Sequence, residues 1–305
     1  MGKDFQMATA LVDGDIVLYN VCISIEYACD WGDDVWTLHS DLREGKQKID
    51  IALSSLQEKV EAENMIVCLS DKENWRKTFF PSYKANRKSK RKPLVYPVLR
   101  EYLKEVYTCA IEEKLEADDV LGLLATGFDP KVKDTIIISE DKDLKTIPGK
   151  LYNPNREEEG IQEISEEEAD YNHLTQALTG DSTDGYSGCP SVGPKTAQKI
   201  LQEKTWQEVV EAYRKQGIDE ECALTQARLA RILRNGEYNR LTKEVKLWLP
   251  QTETVTWSCI NYYVMKQGLY LKRKTRTTQE KRGLTRSVTL NAVNSWVFVL
   301  QSKGF

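Results

Sequence analysis

The sequence predicts an α/β fold, a central, mostly parallel sheet with flanking helices, and three observations predict it. Thr9–Val12, Met65–Leu69 and Thr135–Ile138 are short apolar runs of the length of buried strands. Each runs into an acid just beyond its end, Asp13, Asp71 and Asp141 respectively. Between them, Ile49–Glu63 and Tyr96–Val106 carry helical periodicity, and strands alternating with helices favour a parallel sheet covered on both faces. In such sheets functional groups collect beyond the carboxyl ends of the strands. One Asp after a strand is ordinarily a turn residue or a helix cap. Three in one small sheet are harder to read that way.

The remaining elements follow in order. After Pro148 comes a polar loop with NPN and an EEEG run, and Ser165 with Glu168 forms a capping box that opens a helix through about Leu178. From Gly180 a Gly-rich loop leads into amphipathic helical sequence to about Asn235. The expected domains are a catalytic domain over 1–180, a helical region over 181–250 and a basic tail over 251–305. From Thr254 onward the tail has nine basic residues and one acid, Glu280, with a short strand expected at Ser295–Leu300.

Composition narrows the chemistry. The chain has 305 residues, 40% hydrophobic and 30% charged, ample for a core. It has no apolar run of membrane-spanning length, and its first residues lack a signal-peptide core. Seven cysteines without a CxxC pair read as reduced thiols of a cytoplasmic protein. His39 and His173 are the only histidines, so a zinc site of the His/Cys kind has little to be built from. His173 reads as a surface or packing residue, and Trp31, Trp36, Trp206 and Trp248 as core or lid anchors. The net charge of −4 hides an asymmetry: between Asn74 and Arg100 there is no acid, while Arg76, Lys77, Lys84, Arg87, Lys88, Lys90, Arg91, Lys92 and Arg100 are basic. Such a segment, read alone, is a solvated face; gathered on one surface it binds nucleic acid.

More acids lie in short motifs: Glu116, Asp118 and Asp119 in EADDVLGLLA, at a helix start; Asp141 and Asp143 in SEDKD; Asp181 and Asp184 in GDSTDG. Each motif alone is an ordinary turn or a dipole-favoured helix start. Together with Asp13 and Asp71 they would bring up to nine carboxylates to one sheet edge. Two carboxylates about 4 Å apart repel by roughly 4 kcal/mol at an effective dielectric of 20. Hard divalent cations, Mg²⁺ first and Mn²⁺ second, would relieve that repulsion, and a pair of them hydrolyses phosphodiesters. No GxxxxGK[ST] phosphate loop is present, which disfavours nucleoside triphosphate hydrolysis.

The order VDGD, LSDKENWRK, YKANRK, LEADDVLG, ISEDKDLKTI, GDSTDGYSG and GPKTA, from residue 12 to 197, resembles the 5′-nuclease superfamily of flap endonucleases, polymerase I 5′-nuclease domains and phage 5′–3′ exonucleases. NWRK, YKANRK, DKDLKTI, GDSTDGYSG and a helical end at EYNRLTKEVKLWLP (237–250) are most similar to the phage gene 6-type exonuclease, and the likeness covers about 1–250. The resemblance implies a PIN-like core with a helical arch at about 76–100 and a helix–three-turn–helix DNA-binding region. It implies a first metal at Asp13, Asp71, Glu116, Asp118 and Asp119, and a second at Asp141, Asp143, Asp181 and Asp184. Lys84 would approach the scissile phosphate, Arg87 or Arg76 would hold neighbouring phosphates, with Lys77 and Lys88 beside them, and Tyr83 and Phe79 would stack on bases. Gly188–Ala197 (GCPSVGPKTA) would be the three-turn loop, with Gly188, Gly193, Lys195 and Thr196 on a phosphate and a potassium ion at the loop. This sequence departs from the usual pattern at Ser191, where a second Gly is common.

The implied activity is Mg²⁺-dependent cleavage of duplex DNA from 5′ ends, nicks or flaps, extending to RNA in RNA–DNA hybrids. The setting would be the cytoplasm of a phage-infected bacterium, with a monomeric enzyme working beside replication proteins. Two rivals remain. A PIN-type ribonuclease shares the acids at strand ends but gives no reason for the arch or the GPKTA loop. A non-catalytic branched-DNA-binding protein gives no reason for the full set of acids.

Overall fold

The computed structural model describes residues 8–87 and 90–250. Along the chain run β1 (Thr9–Asp13), α1 (Gly14–Ser24), the ribbon β2 (Glu26–Asp30) and β3 (Trp36–Ser40), α2 (Leu42–Lys59), β4 (Asn64–Cys68), the single turn α3 (Arg76–Phe79), α4 (Tyr96–Val106) and β5 (Cys109–Ala110). There follow α5 (Ala117–Ala125), β6 (Thr135–Ile138), β7 (Gly149–Tyr152), β8 (Ile161–Ile164), α6 (Glu166–Thr179), α7 (Pro194–Ile200), α8 (Trp206–Lys215), α9 (Glu220–Ala230), β9 (Tyr238–Asn239) and β10 (Glu244–Val245).

The main sheet has the order β5-β4-β1-β6-β7-β8, with β8 alone antiparallel to its neighbour. All five residues of β1 are buried, as a central strand covered on both faces requires. It pairs with β4 (Asp13 opposite Cys68) and with β6 (Val12 opposite Ile138). The chain turns to opposite sides of β1 for β4 and β6, so the crevice beyond its carboxyl end is the switch point of the sheet. One face is covered by α1, α2 and α4 through Leu18, Ile49, Leu53, Leu99 and Leu103; the other by α5 and the 232–238 segment through Val120, Leu123, Ile232 and Leu233. Close approach dictates two glycines. A Cβ at Gly14 would lie 2.4 Å from Val67 Cγ1, and one at Gly122 would lie 2.4 Å from the Leu233 carbonyl oxygen.

The helical layer begins with α6 rather than at Gly180, because Leu174 and Leu178 of α6 share a core with Ala197, Val209, Tyr213 and Ala223. Ser165 caps α6 by accepting the Glu168 N–H. His173 is buried there, bonded to the Ala227 carbonyl (2.8 Å) and edge-on to Trp248, which also packs on Trp206. Burial pushes its imidazole down to about 3, so it is a neutral packing residue.

Two expectations are corrected. Trp31 and Trp36 are not core anchors: they sit at the tip of the β2–β3 ribbon, 66% and 60% exposed. The segment expected to form a helical arch holds only α3 and a 3₁₀ turn at Ala85–Arg87 before α4, among the described residues. Arg87, Lys90 and Arg91 would repel at helical spacing, and Pro81 and Pro93 interrupt any longer helix. Lys88 and the tail strand expected at 295–300 lie outside the described residues.

Candidate active site

The site is built where β1 and β6 end. Asp13, the last residue of β1, caps α1 by accepting the Ile16 N–H (3.2 Å), and its other oxygen accepts the Ser139 hydroxyl (2.9 Å). Ser139 Oγ in turn accepts the Asp141 N–H (3.1 Å), and Asp141 accepts the Asp143 N–H (2.8 Å). Asp118 stands in the first turn of α5, whose N-terminal Ala117 N–H donates to Ser70 Oγ (2.9 Å).

Electrostatics sort the acids into two groups. Among the described residues Asp13 has no cationic partner; burial, with repulsion from Asp15 and Asp141, pushes its carboxyl up to about 7. Burial, then the charges of Asp13 and Asp141, raise Asp118 well above the usual range. Burial, then Asp141 and Asp181, raise Asp143 to about 6. Glu116 and Asp184 form the other group. Lys84 Nζ lies 2.5 Å from Glu116 Oε1 and 3.4 Å from Asp184 Oδ2, while Arg87 meets Asp184 Oδ1 at 2.7 Å. Burial alone would raise Glu116, but Lys84 and Arg76 hold it down at about 2. Tyr83 is not a base stacker: it is buried, and its hydroxyl lies between the two acids, 3.0 Å from Glu116 Oε2 and 2.8 Å from Asp184 Oδ2, with one proton to share between them. Phe79 is likewise packed inward, tilted against Trp75.

Three further residues play parts other than those expected. Asp119 is fully buried and paired with Arg76, with both oxygens engaged at 2.8 and 2.9 Å; they also accept the Trp75 indole N–H (3.0 Å) and the Leu233 N–H (3.2 Å). It cannot turn to a metal without stranding a buried guanidinium. Arg76, 2% exposed, is correspondingly unavailable to phosphate. Asp71 closes the 71–75 loop by accepting the Lys114 N–H (2.8 Å), a contact that helps hold its carboxyl low against burial. Among the described residues no three acids are already gathered at liganding distance of one point. The unneutralised set of Asp13, Asp118, Asp141 and Asp143 nevertheless fits a divalent cation, since mutual repulsion and burial are what such an ion relieves.

Sequence reasoning missed Asp15, Ser70 and Ser139. Asp15 Oδ2 accepts the Ser70 N–H (3.1 Å), and its buried Oδ1 has no hydrogen-bond partner among the described residues. The signal was present in VDGD, whose second acid lies two residues beyond the first.

On the nucleic-acid side, Lys77, Gly193, Lys195 and Thr196 are exposed, the last three at the start of α7. Gly188 is not available: it is buried and its N–H donates to Gln226 Oε1 (2.9 Å). Ser191 adopts φ +63°, the left-handed conformation that favours the glycine common at that position. The loop 82–87 docks on 181–186 through Lys84 N–H to the Asp184 carbonyl (2.8 Å) and Asn86 to the Ser182 and Thr183 carbonyls.

A family model described as 5′-3′ exonuclease, N-terminal resolvase-like domain, matches residues 45–169. The exonuclease of Escherichia phage T7 is 31% identical over 281 residues, covering 79% of this chain and 93% of its own length. The chain belongs to the 5′–3′ exonuclease family. Another relative of this exonuclease, a flap endonuclease Xni of Shewanella sp. (strain ANA-3), is 32% identical over 146 residues, 45% of this chain and 56% of that protein. The fold is that of a bacteriophage T5 flap endonuclease solved with DNA and metal ions, at TM-score 0.56 and 14% identity over 73% of this chain and 88% of that one. A T5 5′-exonuclease with bound zinc aligns at TM-score 0.55 and 16% identity, over 73% and 89% of the two chains.

Proposed function

We propose that this exonuclease hydrolyses phosphodiester bonds of duplex DNA from 5′ ends, nicks and flaps, with two Mg²⁺ ions that Mn²⁺ can replace. The observation that carries the reading is the row of acids without salt-bridge partners among the described residues, buried Asp13 and half-buried Asp118, Asp141 and Asp143, beside Lys84 and Arg87. Asp13, Asp118 and Asp141 would hold one ion, and Asp143, Asp181 and Asp184 would serve the second, with Glu116 between them. Bound there, divalent ions supply Lewis-acid stabilisation and a water made acidic enough to attack at neutral pH. Lys84 and Arg87, at the rim, would meet the charge that builds on the phosphate, and the Tyr83 hydroxyl fixes the carboxylates they share. The exposed start of α7, with Gly193, Lys195 and Thr196, would hold the duplex backbone by N–H groups and charge. Ser191 takes the left-handed conformation of the glycine common at its position, so the loop would keep the backbone shape in which a potassium ion is proposed to bind.

The proposal extends to RNA in RNA–DNA hybrids, to a monomer, and to work beside replication proteins in the host cytoplasm. It assigns catalysis to the sheet domain together with Asp181 and Asp184 of the loop after α6, duplex binding to the helical layer that begins with α6 and runs to 250, and salt-sensitive affinity to the basic 251–305 tail. A digest of a 5′-labelled flap, a nicked duplex and an RNA–DNA hybrid, with Mg²⁺ and with EDTA, tests it. Cleavage from the labelled end with Mg²⁺ only, abolished by Asp13→Asn and by Asp141→Asn while binding stays within a few-fold, is the expected result. Binding without cleavage in any arm would favour a non-catalytic branched-DNA-binding protein.

A further inference from the structure

One buried side chain connects the acids of the site to the helical layer, and its contacts give it a role beyond packing. Arg76 donates through Nη1 to Glu116 Oε2 (3.1 Å) and Asp119 Oδ2 (2.8 Å), and through Nη2 to Asp119 Oδ1 (2.9 Å). Nε and Nη2 also reach the carbonyls of Leu229 (3.0 Å) and Arg231 (2.5 Å), at the carboxyl end of α9. The guanidinium carbon lies 4.6 Å from the ring centre of Trp75 and 5.6 Å from that of Tyr83. The last carbonyls of a helix lack intrahelical partners and attract a cation. Glu116 caps the start of α5, the helix that carries Asp118. One fork therefore caps the end of α9 and grips the cap of α5.

We propose that Arg76 is a positioning residue, through which the end of α9 fixes Glu116 relative to Lys84 and Asp118. The layer that would bind duplex DNA and the acids that would cleave it are then held in one register. Asp119 completes the device, because its Oδ1 takes both Nη2 of Arg76 and the Leu233 N–H. A planar fork with five N–H donors can serve four oxygen-bearing groups at once, whereas an ammonium on a flexible stem cannot.

The inference rests on the nuclease reading, and wild-type cleavage in the same assay separates its failure from that of the reading. Two variants are compared with wild type: Arg76→Lys, which keeps the charge opposite Asp119, and Arg76→Gln combined with Asp119→Asn, which neutralises both partners at once. In the double variant no uncompensated buried charge is left, although the single amide oxygen at 119 can accept only one of the Trp75 and Leu233 N–H groups, which bond to different oxygens of Asp119. Melting temperature, single-turnover rate at saturating enzyme, flap-DNA affinity and calorimetric Mn²⁺ affinity without DNA are measured. The expected result for any variant that folds is a rate lower by about 10-fold or more and weaker Mn²⁺ binding, with DNA affinity within about two-fold. A folded variant with wild-type rate and wild-type Mn²⁺ affinity would show that Arg76 only stabilises the fold. Should the double variant fail to fold, the lysine variant decides by the same measurements. Unfolding of both, when Leu233→Ala in the adjoining core leaves folded protein, would also overturn the proposal in favour of a purely structural role.

Discussion

Asp13→Asn should make the protein more stable at neutral pH while removing its activity. Burial, and then Asp15 and Asp141, push the Asp13 carboxyl from its ordinary 3.8 up to about 7. At 1.36 kcal/mol per pH unit, ionising it in the fold costs roughly 4 kcal/mol relative to the unfolded chain, an upper bound because water and neighbouring dipoles relax around the charge. The sign follows from proton binding. Between about pH 4 and pH 7 the folded state holds a proton that the unfolded chain has released, so stability falls as pH rises through that window. Roughly 2–3 kcal/mol of the loss falls between pH 5 and pH 8. The Asn amide oxygen can still accept the Ile16 N–H and its amide can donate to Ser139, so the cap of α1 survives. At about 2–4 °C per kcal/mol for a unit of this size, the variant should melt roughly 5–10 °C higher, relative to wild type, at pH 8 than at pH 5. The assay is thermal melting in EDTA from pH 5 to pH 8. Adding Mg²⁺ at pH 8 should close the gap, since wild type gains ligand-binding free energy. A gap that does not change with pH, or a variant less stable than wild type at pH 8 in EDTA, would refute the electrostatic account of the site.

The other predictions turn on particular contacts. Lys84→Ala should lower the single-turnover rate by about 10²–10³ with little change in DNA affinity, because Lys84 sits between Glu116 and Asp184; Lys195→Ala should instead weaken binding and reduce the salt slope by about 0.9. Equal, small rate losses at both positions would remove Lys84 from the chemistry. Gly193→Ala should leave melting unchanged, since a Cβ there meets nothing within 4 Å, yet weaken DNA binding if a phosphate approaches that backbone. Gly122→Ala should do the reverse, costing about 1–3 kcal/mol by forcing α5 away from the Leu233 carbonyl. Truncation after Pro250 should retain cleavage and flatten the salt dependence of binding; loss of folded protein would make the tail part of the core.

Much of the fold was legible because β-branched runs, caps and helical periodicity are local signals. β6 and α4 have the bounds the sequence predicts, β1 ends one residue later, and β4 is shifted by one residue at both ends. β7 and β8 were not legible, since GKLY and IQEI are too short and polar to stand out from the loop they interrupt. The β2–β3 ribbon was misread because two tryptophans look like core, although Asp30, Asp33 and Asp34 around them speak for exposure. At the site, motif order brought out Asp13, Asp118, Asp141 and Asp143, whereas burial separates Asp119 and Arg76 from residues of identical chemistry. A faint signal existed for Asp119: it lies four residues before Leu123, on the apolar face of α5. Nothing in sequence distinguishes an Arg that faces a phosphate from one that caps a distant helix. The Arg76 contacts with Leu229 and Arg231 span more than 150 residues and exist only once the fold is formed.

The central claim is that Asp13, Asp118, Asp141 and Asp143 are left unneutralised by the protein because divalent cations neutralise them. Calorimetric titration of Mn²⁺ into wild type, Asp118→Asn and Asp141→Asn, without DNA at pH 8, tests it most directly. The account predicts two sites in wild type, with release of protons as the raised carboxyls ionise, and loss or marked weakening of one or both sites in each variant. No binding to folded wild type, or binding that neither substitution alters, would contradict it.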